Sequence, residues 1–309
     1  MTQRRITVRQ RSGALLLGLL LTACSLGPDP TPTAVPSPTA PATRAPATAT
    51  INAAAPDAPT PLSAWRPGAH RGTVPAPATL LHAGILTVGS DVSGPPPLGY
   101  LDKAGTPVGL DMDVAAEIAS RLDLQLAVVN HPFDDLIREL NSDQFDLVIA
   151  GLTITPEREA ILNMVPYFAA GTSLLVQKGN PKGIHSLEDL SGKVVGAYPG
   201  SLQERMLRDL NTRLSQAGQA PTRVLPDDAV SRLQAGTLDA ILTDSPIAAY
   251  YSTVDAATVE TPVPPLDPAP EGIATAKHNT ALAATVRTVV AAMEQDGTMD
   301  AIKAKWGLK

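Results

Sequence analysis

From Leu80 onward, short apolar runs alternate with segments whose apolar positions recur every three or four residues, the pattern of strands followed by amphipathic helices. Ile85 to Gly89 predicts a first strand ending in Ser90-Asp91, and Leu101 to Gly109 a hairpin with a Gly turn. Met112 to Leu122 places Val114, Ile118 and Leu122 on one helical face, with Asp111 expected as its cap. The acid pair Asp111/Asp113 is explained more simply by capping and dipole compensation than by a metal. Strand Leu126–Val129, a helix from Phe133 to about Asn141 and strand Leu147–Ile149 complete a first series. A second begins with a helix start at SLEDL near Leu187. It continues with strand Lys193–Ala197, helix Leu202–Arg213, strand Val224–Leu225, helix Ala229–Gln234 and strand Ala240–Leu242.

The two series rhyme. LNSDQFDLVI (140–149) and LQAGTLDAIL (233–242) each give a helix end, a turn, an Asp and a buried strand. Strand–helix alternation implies an α/β fold with parallel pairing. Ligands of open α/β sheets bind beyond the carboxyl ends of strands, so two such ends facing each other would form a cleft between two lobes.

Composition changes the picture before Leu80. Residues 27 to 79 contain 13 Pro, 14 Ala and 9 Thr, which is 36 of 53 positions, so this stretch has little to pack and is expected to be an extended tether. At ~3.1 Å per residue it could reach at most about 160 Å. Trp65 is the one bulky residue in it. Ahead of it, Arg4, Arg5, Arg9 and Arg11 precede the apolar run Gly13 to Ala23, too short to span a bilayer and suited to a signal segment. The run ends in Leu21-Thr22-Ala23-Cys24, which resembles the lipobox of bacterial lipoproteins. That resemblance implies cleavage after residue 23, lipid on Cys24, and stable anchoring to the membrane on the extracytoplasmic side. The expected organisation is a signal peptide over 1–23, a lipid-anchored linker over 24–79 and a folded part over 80–309.

Charge splits at the same place. Residues 80–309 carry 17 Lys+Arg against 28 Asp+Glu, a net −11 that argues against nucleic acid as a partner. A single cysteine excludes a disulfide framework, and His70, His82, His131, His185 and His278 have no metal-ligand spacing, so no metal or cofactor is expected.

The most informative stretch is Gly151-Leu152-Thr153-Ile154-Thr155-Pro156-Glu157-Arg158. Gly151 permits close backbone approach, and Thr155-Pro156 is a helix start. Arg158 in the first turn opposes the helix dipole, which suggests use as a fork for a carboxylate.

These residues resemble the extracytoplasmic solute-binding proteins of ABC transporters that bind polar amino acids, bacterial family 3. The resemblance covers nearly all of 80–309. It rests on VGSD (88–91), PVGLDMDVAAEIASRL (107–122), FDLVIAGLTITPERE (145–159), SLEDLSGKVVGAYPGS (186–201), LQAGTLDAILTDSPIAAY (233–250) and MEQDGTMDAIKAKW (293–306). It implies a two-lobed, type II periplasmic-binding-protein-like clamshell, each lobe a mixed, mostly parallel sheet flanked by helices. Lobe 1 would be about 80–176 with 268–309, and lobe 2 about 177–267. A monomer would capture an amino acid between the lobes and deliver it to the membrane subunits of an ABC permease.

Carried over by position, Arg158 binds the ligand carboxylate with Thr153 and backbone N–H groups around Gly151. Asp244 takes the ammonium, supported by the loop holding Ser201 and Gln203. Asp91 faces the ligand side chain, while Phe133 and Tyr198 flank it. Other readings stand beside these: Asp244 as a helix cap, Phe133 as core, Tyr198 as a surface aromatic. Ser93 to Tyr100 departs from the family pattern, lacking an aromatic at the matching place after Asp91. With Arg158 and Asp244 neutralising a zwitterion and no second cation among the matched positions, a polar or basic side chain fits better than an acidic one.

Two rivals remain on the sequence: a ligand-sensing module for a separate receptor, and a cyclohexadienyl-dehydratase-like enzyme using a cleft carboxylate. The chain has no Gly-x-Ser-x-Gly elbow, P-loop or dinucleotide fingerprint, and it is expected not to be an enzyme.

Overall fold

The computed structural model describes residues 70–225 and 229–308. The signal segment, Cys24, Trp65 and the tether up to residue 69 lie outside the described residues. Strands and helices follow in the order β1 (Ile85–Ser90), β2 (Tyr100–Leu101), β3 (Pro107–Val108), α1 (Leu110–Arg121), β4 (Gln125–Asn130), α2 (Leu136–Asn141), β5 (Leu147–Val148), α3 (Pro156–Ile161) and β6 (Leu162–Gln177). Then come β7 (Val194–Gly196), α4 (Leu202–Gln216), β8 (Arg223–Leu225), α5 (Val230–Gln234), β9 (Ala240–Asp244), α6 (Ser245–Val254), β10 (Val259–Glu260), β11 (Leu266–Ala276), α7 (Thr280–Gln295) and α8 (Thr298–Lys305). SLEDL forms only a 3₁₀ turn at Glu188–Leu190 rather than the start of an α-helix. Among the described residues no helix is long and apolar enough to cross a membrane.

The main sheet runs β4-β1-β5-β11-β6-β9-β7-β8, with β10 added on β6, and β2 pairs with β3 separately. β4, β1 and β5 are parallel, as are β8, β7 and β9, and the long antiparallel strands β6 and β11 join the two parallel groups. β6 pairs with β11 from Leu162 to Thr172 and with β9 from Thr172 to Leu175, so its partner changes at Thr172. Gly171 sits at the change. A Cβ there would meet the Leu266 carbonyl oxygen at 2.8 Å, so the two crossing chains approach closely only because no side chain intervenes.

Each parallel group is covered on both faces, as a buried sheet requires. In the first, Leu86, Val88, Val114 and Ile118 pack with Val286, Val289 and Met293 on one face, while Leu136, Leu140, Phe145 and Leu152 fill the other. In the second, Leu207, Leu210 and Leu214 of α4 meet Val195 and Leu242, and Val230, Leu233 and Leu238 lie against Leu175 and Ile241.

The rhyme between the two series has a physical basis. Asp146 ahead of β5 accepts from the backbone N–H of Thr87 at 2.8 Å, and Asp239 ahead of β9 accepts from that of Val194 at 2.8 Å. Each carboxylate thus ties its strand to the neighbour it pairs with.

Two expectations are corrected. Asp111 does not cap α1: Gly109 occupies the N-cap, and Asp111 is buried in the first turn, taking the Tyr167 hydroxyl. Asp113 points elsewhere, to Lys305 Nζ at 2.7 Å and Trp306 Nε1 at 2.6 Å. The folded part also begins before Leu80. Val74 packs on the first core, and the N–H groups of Gly72 and Val74 donate to the carbonyls of Ser120 and Arg121. There the buried Arg121 guanidinium meets Glu117 and Asp296, each at 2.8 Å, and His70 Nδ1 at 3.0 Å. Pro-rich composition concealed a segment that is ordered by the α1 end it lies on.

Candidate functional site

The carboxyl end of β1 delivers Asp91, and that of β9 delivers Asp244, to opposite walls of one solvent-connected cleft. Asp91, Phe133, Gly151, Tyr198, Ser201, Gln203 and Asp244, all expected at the site, line this cleft. Gly151 adopts φ +56°, a left-handed turn that favours glycine, and it lies against Leu98.

Asp91 receives three donors: the Ser93 N–H at 3.0 Å, the Phe133 N–H at 2.9 Å and the Tyr198 hydroxyl at 2.7 Å. Burial raises its pKa nonetheless, with these hydrogen bonds pulling the other way. Tyr198 meets Phe133 edge-on, with ring centroids 6.0 Å apart, so it is neither an isolated surface aromatic nor remote from the site. Phe133 is half-buried, and the Arg158 guanidinium stands 5.9 Å from its centroid.

Asp244 precedes α6 but makes no capping hydrogen bond; its carboxylate takes Gln203 Nε2 at 2.6 Å. Burial pushes its pKa up to about 6, with the Gln203 contact and the Arg158 charge opposing. Ser201 caps α4, its Oγ accepting from the Glu204 N–H at 3.1 Å, which aims the start of that helix at the cleft.

Arg158 and Thr153 stand beside the cleft rather than in its lining. Thr155 caps α3 as expected, accepting from the Arg158 N–H, and fixes where the arginine leaves the helix. Arg158 Nη1 donates to the Thr153 carbonyl at 2.8 Å and Nη2 to the Gly200 carbonyl at 3.3 Å. Burial lowers its pKa, while the charges of Glu271 and Asp244 favour the cation. Glu157 and Arg205 add an ion pair at 3.0 Å across the same gap. The two walls therefore already touch through Asp91–Tyr198, Arg158–Gly200 and Glu157–Arg205.

Two carboxylates escaped the sequence. Asp111 lines the cleft with 0% exposure; its Oδ2 has no hydrogen-bond partner. Burial pushes its pKa up to about 7, although the Tyr167 hydroxyl and the Gly151 N–H favour the charge. Glu271, on β11, is 1% exposed, with Oε1 on the Thr153 hydroxyl at 3.1 Å and Oε2 unpartnered. Burial, reinforced by the charge of Asp244, raises its pKa well above the usual carboxylate range. Asp111 had a signal, an acid inside an apolar helix start, but capping explained it too readily. Glu271 had a fainter one, a lone acid between Pro270 and the apolar run Gly272–Ala276. Among the described residues no group of three or more His, Cys, Asp or Glu is placed to hold a metal ion.

The loop after Asp91 contributes Gly94, Pro95 and Leu98 to the cleft. Tyr100 is spent elsewhere, edge-on against Trp306 with centroids 6.2 Å apart. The aromatic missing from the sequence pattern is not supplied by Tyr100.

A profile of the bacterial extracellular solute-binding proteins, family 3, matches residues 86–309. The chain belongs to that family. It is 29% identical to the L-cystine-binding protein TcyJ of Escherichia coli strain K12 over 226 residues, covering 72% of this chain and 82% of the relative. It is 30% identical to the probable ABC transporter arginine-binding protein ArtJ of Chlamydia trachomatis serovar D over 227 residues, 69% of this chain and 82% of that one. Among solved structures, an ancestral arginine-binding protein bound to arginine superposes with TM-score 0.66 at 36% identity, covering 72% of this chain and 98% of that chain. The fold is accordingly the type II α/β architecture of periplasmic amino-acid-binding proteins. The protein is an extracytoplasmic solute-binding protein of the kind that serves amino-acid ABC transport.

Proposed function

We propose that the cleft captures an amino acid with a basic side chain and that the closed form passes it to an ABC permease. The observation that carries this reading is the excess of acids at the cleft: Asp91, Asp111 and Asp244 line it, Glu271 lies behind Thr153 beside it, and Asp111 and Glu271 each have a bare buried oxygen. Buried carboxylates without partners are costly unless a cation or a proton supplies the missing bond. In this reading Arg158, with Thr153 and N–H groups near Gly151, takes the ligand carboxylate, and Asp244, held by Gln203 and neighboured by Ser201, takes the α-ammonium. Asp91 and Asp111 face the side-chain cation, and Phe133 and Tyr198 flank the ligand.

The lobes would be the two parallel groups, about 80–176 with 268–309 and about 177–267, hinged where β6 and β11 cross. A ligand bridging Arg158 and Asp244 favours closure because it touches both. Lipid on Cys24 and the Pro-rich stretch would tether a monomer to the membrane within reach of its permease.

A thermal-shift panel of the twenty amino acids on the full chain tests this. A ligand at about 100 times its Kd adds about 2.7 kcal/mol of stability. The expected result is a raised melting point with arginine, lysine or ornithine above neutral amino acids. Silence across the panel, or turnover of a cyclic carboxylate such as prephenate, would reject it.

A further inference from the structure

Glu271 lies beside the cleft on the Thr153 hydroxyl, and the ligand geometry above gives it no partner. It lies on β11 where Thr153 bridges to it, and where the β11–β6 register slips between Glu271 and Gly272. Its neighbours are charged from several sides: Arg158 from α3, Asp244 from β9 and Asp111 from α1 act on it, and Tyr167 of β6 feels its charge.

The contested group is the Thr153 hydroxyl, which has one proton to donate. An ionised Glu271 is acceptor-only and takes that proton at Oε1, 3.1 Å away. A ligand carboxylate on Arg158 and Thr153 is also acceptor-only, so both cannot be satisfied by one hydroxyl. A protonated Glu271 resolves the conflict: its own O–H donates to Thr153 Oγ1, and the Thr153 proton turns to the ligand. The same proton removes a negative charge from beside the incoming carboxylate, at a site where Oε2 has no hydrogen bond to hold it.

We propose that Glu271 carries a proton in the ligand-bound form, so that it positions the Thr153 hydroxyl and makes ligand capture tighten as pH falls. This rests on the assignment of Arg158 and Thr153 to the ligand carboxylate. Burial beside Asp244 and Asp111 already disfavours the Glu271 anion.

Titration calorimetry of the full chain with L-arginine, L-glutamine and L-cystine, at several pH values between about 6 and 8.5, tests the proposal. In the wild type, Kd rises with pH by up to about tenfold per unit over part of that window. Glu271→Gln, whose amide can still donate to Thr153 Oγ1, binds with a flatter profile. Changes common to both chains, including titration of the ligand ammonium, Asp111 and Asp244, cancel in the comparison. A second readout compares the same two chains: at about pH 8, above the values of about 7 and about 6 for Asp111 and Asp244, binding enthalpies in buffers of different ionisation enthalpy show more proton uptake by the wild type than by Glu271→Gln. Parallel pH profiles, or equal proton uptake by the two chains at pH 8, overturn the role of Glu271 while leaving the ligand site intact. Absence of binding by all three amino acids overturns the ligand site and the inference together.

Discussion

Buried carboxylates serve differently at the amino ends of β5 and β9 and around the cleft at the opposite end of the sheet. At the amino ends, Asp146 accepts from Leu81 and Thr87 at 2.8 Å each, one bond per oxygen, and Asp239 accepts from Val194 while pairing with Lys182. At the cleft, Asp244 has Gln203 alone among neutral donors, Asp111 has one bare oxygen, and Glu271 has another. The acids at the strand starts tie strands together, whereas Asp111 and Glu271 keep an oxygen free for something that is not part of the chain. Donor count separates Asp111, Asp244 and Glu271 from the strand-tying acids, whereas Asp91 takes three donors and is marked by its place in the cleft lining instead.

The largest effects should come from cutting the cleft's charges. Asp244→Ala and Arg158→Ala are each expected to weaken amino-acid binding by about 2–5 kcal/mol, the cost of leaving a buried partner unpaired. Calorimetry would read this, and a change below threefold would remove either residue from the ligand. Asp146→Ala should do the reverse, costing about 2–3 kcal/mol of stability through its orphaned backbone donors. Ligand affinity of the folded protein should stay within threefold. A shift of the denaturation midpoint is the check, and an affinity loss without destabilisation would break the contrast between the two ends.

A smaller effect concerns pH. Asp111 and Asp244 have folded values of about 7 and about 6 against an ordinary 3.8. An acid with a raised folded pKa keeps its proton longer in the folded state, so the stability these two acids contribute to the unliganded protein is lost as pH rises from about 4 to 7. Asp111→Asn should flatten the upper part of this slope in melting curves at pH 5, 6, 7 and 8; an unchanged slope would deny Asp111 its role. Smallest is Asp91→Asn, expected to lower the preference for basic over neutral ligands by about tenfold, since it removes one negative charge of several from the cleft. An unchanged preference would shift side-chain recognition to Asp111.

Much of this was legible in the chain. The strand–helix alternation and the repeated Asp-strand unit gave the parallel groups, because periodicity survives wherever one face of an element is buried. Asp91, Arg158 and Asp244 stood at strand ends or a marked helix start. The crossing strands β6 and β11 were not visible: Pro166, Gly171, Pro268 and Pro270 interrupt the alternation, and both faces of β6 are buried along most of its length. Glu271 was hidden with β11. Residues 70–79 were assigned to the tether because composition speaks of an isolated segment, whereas their order comes from Ser120, Arg121 and Asp296 far away in sequence.

The central claim is that the cleft's excess of acids selects a cationic side chain. L-citrulline has nearly the shape of L-arginine but a neutral urea in place of the guanidinium, so calorimetry of the full chain with the two ligands isolates that charge. The account predicts that arginine binds at least about tenfold tighter, a difference of about 1.4 kcal/mol. Equal affinities, or tighter binding of citrulline, would contradict it.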